Sequence, residues 1–150
     1  MTLQNLLRVG RLRAHVATAA EVQRLLKAFD RNLADAGVAD ISDETRFDVA
    51  YKAVMQCALV AMLASGYRPS TSEAGHHQTP IQSLPLTLGV SDEVWVVLDA
   101  LRKQRNANDY TGQPIMPAVV AECTGQAKAL RTLLHQRLAA DHAGLLEDLD

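Results

Sequence analysis

The chain has 150 residues, 48% of them apolar but only 4% aromatic, and its 15 Lys and Arg stand against 17 Asp and Glu for a formal charge of −2. That length suits one domain, residues 1–150, able to bury a continuous core. The near-balance of charge excludes a molecule-wide field for polyanions, so any nucleic-acid contact has to come from a local patch.

Low aromatic content with abundant Ala and Leu favours helix over strand, and the expected class is all-α. Residues 3–16 carry apolar positions at Leu3, Leu6, Leu7, Val9, Leu12 and Val16, an imperfect helical stripe interrupted by Gly10. Arg8, Arg11 and Arg13 make this stretch basic, which reads first as a solvated face and second as a nucleic-acid contact. The segment lacks the order of basic region, apolar block and cleavage site of a secretory signal, and the chain is expected in the cytoplasm. Thr18-Ala19-Ala20-Glu21 is a capping box, so a helix starts at Thr18, runs through Val22, Leu25, Leu26, Phe29 and Leu33, and stops near Gly37.

Ser42 then reads as an N-cap, with Asp43 and Glu44 in a first turn whose dipole favours negative charge. Phe47, Tyr51, Val54, Met55, Ala58, Leu59, Met62 and Leu63 give a broad apolar face that reads as the central helix of the core, and 57–64 is apolar all round, as in a helix covered on several sides by other helices or by a second subunit. That run is closed by Ser65-Gly66 and falls short of the roughly 18 apolar residues of a bilayer span, so no membrane partner is expected. Residues 67–78 read as a polar loop ending near His76-His77, and Pro80 and Pro85 restrict the next stretch to short helical turns. Adjacent histidines project in different directions from a helix start. They read as one packing and one solvated side chain, or as functional groups on a loop.

Residues 91–110 form one helix around which the rest is expected to be arranged. At about 100° per residue, Val94, Val97, Leu98 and Leu101 share a face, and Arg105 falls only about 20° from Val94. The apolar stripe therefore ends in an arginine, with Asp109 one turn on, Asn106 and Asn108 on the flanks and Tyr110 beyond. Two readings stand: a solvated helix end, or a functional or interface cluster. After a break at 111–114, Pro114 or Pro117 opens a last helix through Val119, Val120, Cys123, Ala127, Leu130, Leu133, Leu134 and Leu138. Lys128, Arg131, His135 and Arg137 take its outer faces, and an acidic LLEDLD tail frays. Cys57 and Cys123 read as small buried hydrophobes. No C-x-x-C spacing or Gly-rich phosphate loop is present, and no metal or cofactor is expected.

The order of these parts, with Gly66-Tyr67-Arg68, Gly75-His76-His77 and residues 101–110 reading LRKQRNANDY, resembles the HEPN family of small helical bundles over about 18–138. It looks most like a branch in which RN-x-x-DY replaces the better-known signature. The resemblance implies an up-and-down bundle of four to five main helices with a short extra helix, and a homodimer. It further implies a metal-independent endoribonuclease or related RNA-directed protein in a toxin–antitoxin or phage-defence setting, with a cognate antitoxin as partner. HEPN ribonucleases use Arg, four to six intervening residues, then His. Here Arg105 matches the arginine and Asn106 the polar residue after it, but Tyr110, Thr111 and Gly112 fill the histidine positions.

The candidate site is therefore Arg105, Asn106, Asp109 and Tyr110, with His76 or His77 supplying the missing base if the loop folds over Arg105. Tyrosine, with a reference pKa of about 10, replaces histidine poorly as a proton carrier near neutrality. The alternative is a non-catalytic dimerisation module with Arg105, Asp109 and Tyr110 as a structural polar network.

Overall fold

The computed structural model describes residues 1–72 and 78–147, so Glu73 to His77 and the last three residues lie outside the description. The described chain is an all-α bundle with one small β ribbon. Its elements are α1 (Leu3–Arg8), β1 (Leu12–Ala14), α2 (Ala19–Ala36), α3 (Asp43–Ala64), β2 (Tyr67–Pro69), α4 (Thr79–Gln82), α5 (Leu84–Thr87), α6 (Asp92–Thr111) and α7 (Pro117–Asp141), closed by a 3-10 turn (Ala143–Leu146).

Four long helices, α2, α3, α6 and α7, make the bundle, and their starts are written in side-chain chemistry. Thr18 accepts from the Glu21 amide at 3.2 Å while the Glu21 carboxylate accepts from the Thr18 amide at 3.0 Å, completing the capping box. Ser42 and Ser91 cap α3 and α6 more simply, each hydroxyl accepting from one amide, of Thr45 and of Val94, with two acidic residues in the first turn. Pro117 occupies the first turn of α7. Pro114 lies in the connection before it, a correction to the expectation that either proline opens the helix.

The molecule is organised around α3, not α6. Phe47, Ala50, Tyr51, Ala53, Val54, Cys57, Ala58, Val60, Ala61, Met62 and Leu63 are buried along it, and α2 and α7 pack on either side. Helix α7 answers with Val120, Cys123, Ala127, Leu130, Leu134 and Leu138, a stripe of steps of three or four that keeps one face inward. Each large side chain fully buried along this seam contributes roughly 1.5–3 kcal/mol. Helix α6 buries only Leu98 and Leu101, and Val94 and Val97 are half-covered. Its stripe has the expected phase, but the long apolar face of α3 outweighs it.

By length and composition α3 could cross a bilayer, at a mean hydropathy of 1.5, yet 61% of that stretch is buried inside the bundle. Such burial is what the core helix of a bundle shows.

The N-terminal stretch departs from the expected stripe. Helix α1 ends at Arg8, Gly10 takes a positive φ of 84°, and Leu12–Ala14 pair antiparallel with Tyr67–Pro69, a segment that sequence alone reads as loop. The two strands are 55 residues apart in sequence, counting from Leu12 to Tyr67, so no local periodicity signals their pairing. Buried Leu6, Leu12 and Met62 form a second, small core beneath the ribbon. At the other end the tail does not fray throughout: Leu145 and Leu146 pack on the main core.

Candidate functional site

Arg105 emerges from α6 where that helix crosses the N-terminal half of α3. Its guanidinium carbon lies 4.8 Å from the centroid of the Tyr51 ring, a cation–π contact with a tyrosine only 5% exposed. The guanidinium also borders a cleft of about 440 Å³ whose other walls are Asp48, Val49, Lys52 and Met55 of α3. Asp48, Lys52 and Met55 follow i, i+4, i+7 spacing and so share one edge of that helix.

The charges there are unequal in their commitments. Arg105 Nε stands 3.9 Å from Asp109 Oδ2, beyond hydrogen-bond reach, with both side chains roughly half exposed, so the pair is a weak one. That Nε is closed off from solvent and has no hydrogen-bond partner among the described residues. Arg102 and Lys103 are engaged elsewhere, at 3.0 and 3.2 Å from Asp99, and their hydrogen bonds hold the Asp99 carboxyl below its usual range. At the cleft, partial loss of water lifts the Asp48 carboxyl above its usual range, Arg105 pulls it back down and Asp109 adds to the rise. Burial likewise lifts the Tyr51 phenol, against the pull of Arg105 and Arg102.

The expected site residues are only partly brought together. Arg105 and Asp109 are neighbours. Asn106 is partly buried and makes no side-chain hydrogen bond among the described residues, while Asn108 donates to the Gln113 carbonyl at 2.7 Å and fastens the turn after α6. Tyr110 is 87% exposed and does not line the cleft within one chain. His76 and His77 lie outside the described residues. Among the described residues no group of three His, Cys, Asp or Glu side chains is gathered as a metal site requires. Cys57 and Cys123 are buried and free, and burial pushes each thiol up to about 12.

Sequence reasoning missed Asp48 and Lys52. The available signal was a pair of charges one turn apart flanking Tyr51, where the broad apolar face of the helix begins, but which element covers that edge is decided only in three dimensions. Chemically, the cleft offers a fixed cation for an anionic group and a carboxyl shifted toward the protonated form beside it. No protein-family model, curated protein or solved structure matches this chain.

Proposed function

We propose that this is a HEPN-like, RNA-directed protein of the cytoplasm, ribonuclease-related, whose altered site is centred on Arg105. The observation that carries the reading is the Arg105 guanidinium at the edge of an open cleft with the Asp48 carboxyl raised beside it. In RNA cleavage without a metal, arginine balances charge on the phosphate, and a carboxylate lining the same cleft offers a general base where histidine is missing. The RN-x-x-DY resemblance supplies the substrate class, the toxin–antitoxin or phage-defence setting and the antitoxin partner. Exposed Val96 and Tyr110 on α6, with Met116 just beyond it, support a homodimer through that helix.

A second reading has its own support. The packing of Arg105 on Tyr51, with Nε withdrawn from water, suits a latch that fastens α6 to α3 in a non-catalytic interaction module. Incubating purified protein with total RNA in EDTA separates the two. Under the RNA-directed reading RNA is degraded, and Arg105→Ala and Asp48→Asn each abolish it. Intact RNA, together with loss of the dimer on Arg105→Ala, overturns it in favour of the latch.

A further inference from the structure

A second cationic surface lies apart from the Arg105 cleft, on the side of the bundle formed by α2 and the β ribbon. Arg24 and Arg31 of α2 and Arg68 of β2 line a groove of about 540 Å³ floored by Leu25, Leu59 and Leu63. Arg24 and Arg31 are seven residues apart, two turns and about 10 Å along one helix face. The direct partner of Arg68 in the ladder is Arg13 of β1, so the two side chains leave the ribbon on the same face. Like charges directly opposite destabilise a strand pair, and a two-stranded ribbon has little stability to spare. Among the described residues, none of the four arginines has a carboxylate within 4 Å. Glu21, at the end of the groove, is occupied by His15 at 2.8 Å and by Thr18. Asp35 is the other acid on this face of α2, and it forms no ion pair with Arg31.

We infer that this groove binds the sugar-phosphate backbone of single-stranded RNA. Guanidinium forks match phosphate oxygens two at a time, and a phosphate between Arg13 and Arg68 turns their repulsion into attraction. The leucine floor accepts the apolar face of a base or sugar. An acidic amphipathic helix fits less well, because a helix 10–12 Å across fills 540 Å³ in roughly one turn, whereas an extended strand lies along the groove. The RNA as ligand rests on the function proposed above, but the groove uses neither Arg105 nor its cleft, so the two fail separately.

The test is fluorescence anisotropy with a fluorescein-labelled oligouridylate about fifteen nucleotides long, a length within the range of known single-strand sites. Wild-type protein binds at low salt. Arg24→Ala with Arg31→Ala weakens binding at least about tenfold and makes the dependence of log K on log salt shallower by about 1.4, at about 0.7 for each phosphate no longer neutralised. Arg68→Glu weakens binding further, and Arg24→Lys with Arg31→Lys, which keeps the charge but loses the forks, binds between wild type and the alanine pair with the wild-type salt slope. Circular dichroism melts of the α2 variants match wild type, since the α2 arginines are exposed, and Arg68→Glu, which sets opposite charges across the ribbon, melts no lower than wild type. The inference is overturned by absence of binding in wild type, by groove variants that bind as wild type does, or by polyglutamate displacing the RNA at equal charge concentration. Groove variants that bind normally while Arg105→Ala loses RNA would overturn the groove and leave the proposed function standing.

Discussion

Replacing Arg105 with alanine separates a working site from a packing contact, because the two roles imply losses of different size. The ring of Tyr51 is buried but the Arg105 side chain is 42% exposed, and a cation–π contact in such half-solvated surroundings contributes about 0.5–1 kcal/mol. The Asp109 pair, at 3.9 Å and open to water on both sides, adds about 0–0.5 kcal/mol. Against these stands the cost of an Nε shut away from water with no acceptor, on the order of 1 kcal/mol, which alanine removes. The terms nearly cancel. Arg105→Ala is therefore expected within about 1 kcal/mol of wild type, a Tm change of no more than about 2–4 °C in a chain of this length. RNA cleavage in EDTA, by contrast, falls by about 100-fold or more, as expected when a group balancing phosphate charge is removed. Thermal melts and an RNA degradation assay on the same preparations decide the matter. A loss above about 3 kcal/mol with no change toward RNA would refute the reasoning and make Arg105 a structural latch.

Asp48→Asn tests the electrostatics of the same cleft. A carboxyl whose pKa is raised on folding contributes stability that is full below its unfolded value and lost as pH rises through its folded value. The asparagine variant should therefore melt higher than wild type at pH 7, and the gap should close on acidification; an equal or lower melting point at pH 7 would contradict the assignment. With both thiols pushed up to about 12, neither Cys57 nor Cys123 should react with iodoacetamide in the folded protein at mildly alkaline pH, whereas both should in concentrated guanidinium chloride. Mass spectrometry counts the adducts, and labelling of the native protein would show that the core opens far more readily than its packing implies. Gly112 ends α6 at φ 70° and donates to the Asn108 carbonyl, so Gly112→Ala should cost about 1 kcal/mol by denaturant titration, although nothing stands where the methyl group would go.

Much of the bundle was legible because helix starts and stops are local chemistry. The capping box at Thr18, the serine and paired acids at 42–44, the proline at 117 and the glycine at 112 each act on backbone groups within four residues of themselves. The phase of each apolar face is local in the same sense, since it is set by 3.6 residues per turn. Arg105 was accordingly found at the end of its stripe, with Asp109 beside it.

The features that lay beyond the sequence depend on long-range packing. The apolar face of α3 marks it as the core helix, but that α6 lies at its edge instead of organising the chain turns on how many neighbours cover each face, which periodicity does not encode. The ribbon of Leu12–Ala14 with Tyr67–Pro69 joins two stretches with no local signature. The same is true of Asp48 and Lys52, ordinary charges on α3 until α6 lays Arg105 beside them, and of the three arginines that α2 and the ribbon gather around one groove. Periodicity and capping specify elements one at a time. A site shared between elements is made by their crossing, and burial of the α3 face is what drives that crossing.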